Sequence, residues 1–118
     1  MLRRLFGSRD SDAPGLTERD KAMFAEFREL GTDLSRSRRI DHFFVFPSEN
    51  AAKRLAARLS PPLTCIVRPG GDSWTVQASL TMPITEDLIQ ETRPRFEAIA
   101  KEFGGTYDGW GTEADAGG

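Results

Sequence analysis

Residues 38–46 read Arg-Arg-Ile-Asp-His-Phe-Phe-Val-Phe, and the way these nine alternate decides the fold. Ile40, His42, Phe44 and Phe46 fall on one side of a period-two pattern, with Asp41, Phe43 and Val45 on the other. Aromatic and β-branched residues in that spacing predict a strand. Both of its sides carry apolar groups, which places it in the interior of a sheet rather than at an edge. Pro47 ends it by removing a backbone donor.

Working downstream, Ser48 caps a helix in which Ala51, Ala52, Leu55, Ala56 and Leu59 form one stripe opposite Lys53, Arg54 and Arg58. Pro61 and Pro62 forbid its continuation. Leu63 to Arg68 then reads as a short strand, Pro69 to Asp72 as a turn, and Trp74 to Thr81 as the returning strand of a hairpin. In that strand Trp74, Val76, Ala78 and Leu80 are expected to meet the helices, leaving Thr75, Gln77, Ser79 and Thr81 on a polar, wet face.

Thr85 caps a further helix, with Glu86 and Asp87 at its positive end and Leu88, Ile89, Phe96, Ile99, Ala100 and Phe103 on its buried side. Gly104 and Gly105 end it, while Pro94 predicts a kink, or two short helices meeting near Thr92. Thr106 to Thr112 is the last strand.

Upstream, Thr17 caps a helix over residues 17–30, with Asp20 at the capping-box distance and Met23, Phe24, Phe27 and Leu30 at helical spacing. Residues 1–15 read as a flexible leader, 16–112 as one domain and 113–118 as a flexible tail. After the added first helix, the order is β-α-β-β-α-β. That is the split βαβ, ferredoxin-like α+β fold: a four-stranded antiparallel sheet with both crossover helices on one face. The added helix is expected over part of the open sheet face or along an edge.

A chain of 118 residues has room for one core, not two. Sixteen Lys and Arg against eighteen Asp and Glu leave a net charge of -2, which disfavours a nucleic-acid binder that must neutralise many phosphates. No apolar run reaches the length of a membrane span, and a single cysteine makes no intramolecular disulfide, so the cytoplasm is the expected location.

The same scarcity weighs against catalysis. His42 is the sole histidine and Cys65 the sole cysteine, so one chain cannot build a His and Cys zinc site. Cys65 lies in the apolar run LTCIV and reads as a small buried hydrophobe, and His42 as a packed strand residue. Asp41 and Asp108 could approach across strands, but no residues mark an acid and base pair, a cofactor cradle or a metal site. The expectation is a non-enzyme without cofactor or metal. A deep pocket lined by Asp41, His42, Tyr107 and Asp108 would favour a small-ligand role instead.

The most distinctive segment is Gly-Gly-Thr-Tyr-Asp-Gly-Trp-Gly-Thr at 104–112. Tyr107 and Trp110 suit either the core of a small domain or an interface, and Asp108-Gly109 favours a tight turn or a bulge. Together with Asp41 and Phe43 on the second side of the first strand, Tyr107, Asp108 and Trp110 are the candidate partner-binding residues.

The run Gly105-Thr106-Tyr107-Asp108-Gly109-Trp110-Gly111-Thr112 resembles the GxYDGWGT signature near the end of the ribonuclease E inhibitor family, also called regulator of ribonuclease activity B. The Ile40-Asp41-His42-Phe43-Phe44 strand, the Ala-rich helix, the Trp74 strand and the Ala100-Lys101-Glu102-Phe103-Gly104-Gly105 helix end follow that family's order over about residues 17–112. The long acidic tail of enterobacterial members is not matched after Gly111, where Glu113 and Asp115 are the acids. The resemblance implies a ferredoxin-like domain with no catalytic residues, which binds and restrains an endoribonuclease of messenger decay. A self-associating domain, including a homodimer, is the alternative, with small-ligand or RNA binding behind it.

Overall fold

A computed structural model describes residues 16–113. The leader expected at 1–15 and nearly all of the expected tail lie outside the described residues. In chain order the elements are α1 (Glu18–Glu29), β1 (Arg38–Phe46), α2 (Glu49–Leu59), β2 (Thr64–Gly70), β3 (Ser73–Met82), α3 (Glu86–Glu102) and β4 (Thr106–Gly111). The four strands form one antiparallel sheet in the order β2-β3-β1-β4. This is the split βαβ order, with β1 central as its two apolar sides require.

The helix-covered face carries Ile40, Phe44 and Phe46 from β1 and Val76 and Ala78 from β3. Ala51, Ala52, Leu55 and Leu59 of α2 and Ala100 of α3 close over most of them. Each fully buried large side chain contributes about 1.5–3 kcal/mol by leaving water, so this layer supplies much of the stability. Ser48 Oγ accepts from the Ala51 amide and Thr85 Oγ1 from the Leu88 amide, which gives both crossover helices the caps their sequences predict.

Two boundaries differ from expectation. β2 and β3 run on through Pro69 and Gly70, which leaves Gly71 and Asp72 as a two-residue hairpin loop. The helix α3 is unbroken across Pro94 rather than divided near Thr92. Pro94 lies on its exposed side, where solvent can serve the carbonyl that the missing N–H leaves behind.

The added helix α1 leaves the open sheet face bare. Phe24 packs with Ile40, Ile84, Ile89 and Trp110, which sets α1 on the helix side of the sheet and beside the edge strand β4. Gly105 is the close approach that lets β4 pair with β1: a Cβ there would stand 2.5 Å from the Val45 carbonyl oxygen.

Candidate partner-binding face

Tyr107 and Trp110 are three residues apart, and in a regular strand an odd separation sends side chains to opposite faces. A β-bulge corrects this. Phe43 pairs with Gly109 and Phe44 with Tyr107, so Asp108 is the extra residue between them. Gly109 adopts φ 112°, a conformation that L side chains rarely take. Tyr107 and Trp110 therefore both face the helices, Trp110 across from His42 and Tyr107 across from Phe44.

There they enter a polar network inside the protein. Trp110 is 5 % exposed, packs its ring 5.4 Å from that of Phe24, and donates from Nε1 to Asp20 Oδ1 at 3.0 Å. Asp20 is 1 % exposed and also accepts from Arg93 Nε at 2.9 Å and Nη2 at 2.6 Å, and from the Thr17 amide at 3.1 Å. Burial alone would raise the Asp20 carboxyl, but the bonds and charge of Arg93, with those of Thr17 and Trp110, hold it below the ordinary carboxylate range. Asp20, which completes the capping box of α1 with Thr17, is thus also the anchor that ties α1 to α3 and β4.

Arg93 in turn lies 5.3 Å from the centre of the Tyr107 ring, and the Tyr107 hydroxyl shares a 2.8 Å hydrogen bond with His42 Nδ1. Burial pushes His42 down to about 4 and the Tyr107 phenol well up, so both are neutral near pH 7. Sequence reasoning missed Asp20 as more than a cap, and missed Arg93 altogether. The available signal was that each charge occupies an apolar stripe: Asp20 with Phe24 and Phe27, Arg93 with Ile89, Phe96 and Ala100.

The opposite face has a different character. Asp41, Phe43 and Val45 of β1 are half-buried between Thr75, Gln77 and Ser79 of β3 and the glycines of β4. Phe43 stands opposite Gly109, and a Cβ on Gly111 would be 3.9 Å from its ring, so the phenyl group rests on backbone that has no side chains to cover it. Asp41 accepts from Ser79 Oγ at 2.6 Å and Arg39 Nε at 2.8 Å. Burial would raise this carboxyl too, yet the bonds from Ser79 and Arg39 and the Arg39 charge bring it below its ordinary value. Beside them is a shallow hollow of about 360 Å³ lined by Arg39, Pro62, Thr64, Ile66, Ser79, Leu80 and Thr81.

Of the five candidate residues, Asp41 and Phe43 lie on this open face, Asp108 is exposed at the bulge on its β4 side, and Tyr107 and Trp110 lie beneath on the helix side. Asp108 stands beside the Phe43–Phe44 step, away from Asp41, which pairs with Gly111. Nor do Asp41, His42, Tyr107 and Asp108 line one pocket, because Asp41 and His42 point to opposite faces. His42 and Cys65 both neighbour Ala78 from its two sides, which separates them by two strand spacings, roughly 10 Å. Among the described residues no group of three or more His, Cys, Asp or Glu could hold a metal ion, and no helix is long and apolar enough to cross a membrane.

No curated protein matches this chain. A family model described as regulator of ribonuclease activity B, a regulator rather than a catalyst, matches residues 17–112, from the cap of α1 through the whole of β4. The chain belongs to the regulator of ribonuclease activity B family.

Proposed function

We propose that this chain is a non-catalytic, cytoplasmic protein-binding module that docks on an endoribonuclease of RNA decay and restrains it by occupying its surface. The observation that carries the reading is the open sheet face, where Phe43 is set on glycine backbone and flanked by Val45 and a bonded Asp41. An aromatic ring ringed by polar strand residues has the make-up of an interface centre. In this reading Asp41, Phe43 and Asp108 touch the partner. Tyr107 and Trp110 act from below, fixing β4 and hence the floor under Phe43.

The test is inhibition of RNA cleavage by a purified bacterial endoribonuclease of messenger decay, with direct binding followed by calorimetry. Wild-type protein is expected to bind and slow cleavage, and Phe43→Ala to weaken both about tenfold or more with little change in melting. Cleavage unaffected by saturating wild-type protein would refute the reading. Self-association is the second reading, favoured by Ile66, which is 43 % exposed on the edge strand β2. A dimer by light scattering that Ile66→Lys dissolves would support it.

A further inference from the structure

We infer that the hollow at Arg39 is a receptor for a carboxylate side chain on an acidic, partly apolar segment of the protein partner. This rests on the reading of the open face as the docking surface and specifies the chemistry that face recognises. Arg39 lies across from Thr81, and Asp41 across from Ser79, which is itself across from Thr64. These residues bring a guanidinium and three hydroxyl side chains to one hollow, with Ile66 and Pro62 on its apolar side.

Arg39 is oriented before any ligand arrives. Its Nε is held by Asp41, and Asp41 is held by Ser79, while the two terminal nitrogens of Arg39 make no bond among the described residues. A carboxylate can take that free edge of the guanidinium, aided by the Thr64 and Thr81 hydroxyls. The charged strand residues facing this side from β1 to β3 are Arg39, Asp41 and Arg68, and Asp41 already has its partners. Arg39 is one of those partners, so that pair nets to zero and the three together leave a single positive charge. That fits one carboxylate better than a nucleic-acid backbone, which requires many cations.

The probe is the acetylated peptide Leu-Glu-Leu-Glu-Leu, titrated into isotope-labelled protein by NMR, with its Gln counterpart and a ten-nucleotide uridine RNA as the other arms. The Glu peptide is expected to move the amides of Thr64, Ser79 and Thr81 and the Nε signal of Arg39. Arg39→Gln, a change at an exposed side chain that leaves melting unaltered, is expected to weaken binding about tenfold. Absence of shifts at millimolar peptide, equal binding of the Gln peptide, equal binding by Arg39→Gln, or binding of the RNA in place of the peptide each overturns the inference. A ribonuclease bound equally by wild type and Arg39→Gln overturns it while the regulatory reading stands. The Glu peptide bound at the hollow by a protein that no ribonuclease recognises leaves it standing while that reading fails.

Discussion

Strand β1 sends neighbouring polar residues to opposite sides of the sheet. On the helix side His42 is 4 % exposed, its ring 4.7 Å from that of Phe96 and its Nδ1 bonded to Tyr107. One residue earlier, on the open side, Asp41 is bonded to Ser79 and to Arg39, whose side chain is 60 % exposed. Polar groups on the first side are consumed by one another, as burial demands, and removing one strands its partner. Those on the second hold each other in place with bonding capacity left over. Substitutions on the helix side should therefore be read in stability, and those on the open side in binding.

Trp110→Ala tests that contrast most severely. It removes an indole from the cluster of Phe24, Ile40, Ile84 and Ile89 and takes a donor from buried Asp20. The expected cost is about 3–5 kcal/mol, seen as a large fall in denaturation midpoint with loss of the α1 contact. If Trp110→Ala melted like wild type while losing a partner, the assignment of this residue to the interior would be wrong.

Arg93→Ala asks whether the helix side depends on its ion pair as much as on its apolar packing. Arg93 is 12 % and Asp20 1 % exposed at the side chain, so solvent screening is slight. Leaving the Asp20 carboxylate unpaired should cost about 3 kcal/mol. Arg93→Ala together with Asp20→Ala should cost less than the two single changes added, since neither then strands the other. Strict additivity in chemical denaturation would mean the pair is not coupled.

Mild acid probes the helix side without mutation. An unfolded chain binds a proton at His42 below pH 6.5, whereas the folded chain does so only near 4. Stability should fall as pH drops through that interval, and at 1.36 kcal/mol per pH unit the loss is on the order of 3 kcal/mol. Asp20, and Asp41 on the open side, add a second loss below their ordinary value of 3.8, because each folded carboxyl releases its proton more readily than the unfolded one. His42→Leu should flatten the slope between pH 6.5 and 4 in urea titrations and leave the one below it. A slope that survives His42→Leu would assign the effect to another group.

Periodicity made the strands and both crossover helices legible, because β1 and β3 alternate cleanly and α2 carries a continuous apolar stripe. The network around Trp110 was not legible in the same way. Asp20 and Arg93 are 73 residues apart in the chain, and only the fold makes them neighbours. A local pattern presents Asp20 as the capping-box partner of Thr17, which it is, and gives no sign of its second role. The facing of Tyr107 and Trp110 was hidden by the bulge: Asp108-Gly109 signalled an irregularity, but a count of residues cannot say on which side of it each ring emerges. The open face was readable in Thr75, Gln77, Ser79 and Thr81. That α1 would leave it uncovered was decided by where Phe24 and Asp20 find partners.

Phe43→Ala carries the smallest expected change in stability and the sharpest consequence for function. The ring is half-buried and rests on the backbone at Gly109 and Gly111, so truncating it opens no closed cavity, and about 1 kcal/mol or less should be lost. Phe44, the next residue, is fully buried among Phe96 and Tyr107, and Phe44→Ala should cost about 3–5 kcal/mol. Adjacent phenylalanines in one strand thus form an internal control, measured by thermal and urea denaturation of the two variants side by side. If Phe43→Ala proved as costly as Phe44→Ala, the phenyl group would be serving the fold, and the open face would lose the aromatic centre on which its role as a docking surface depends.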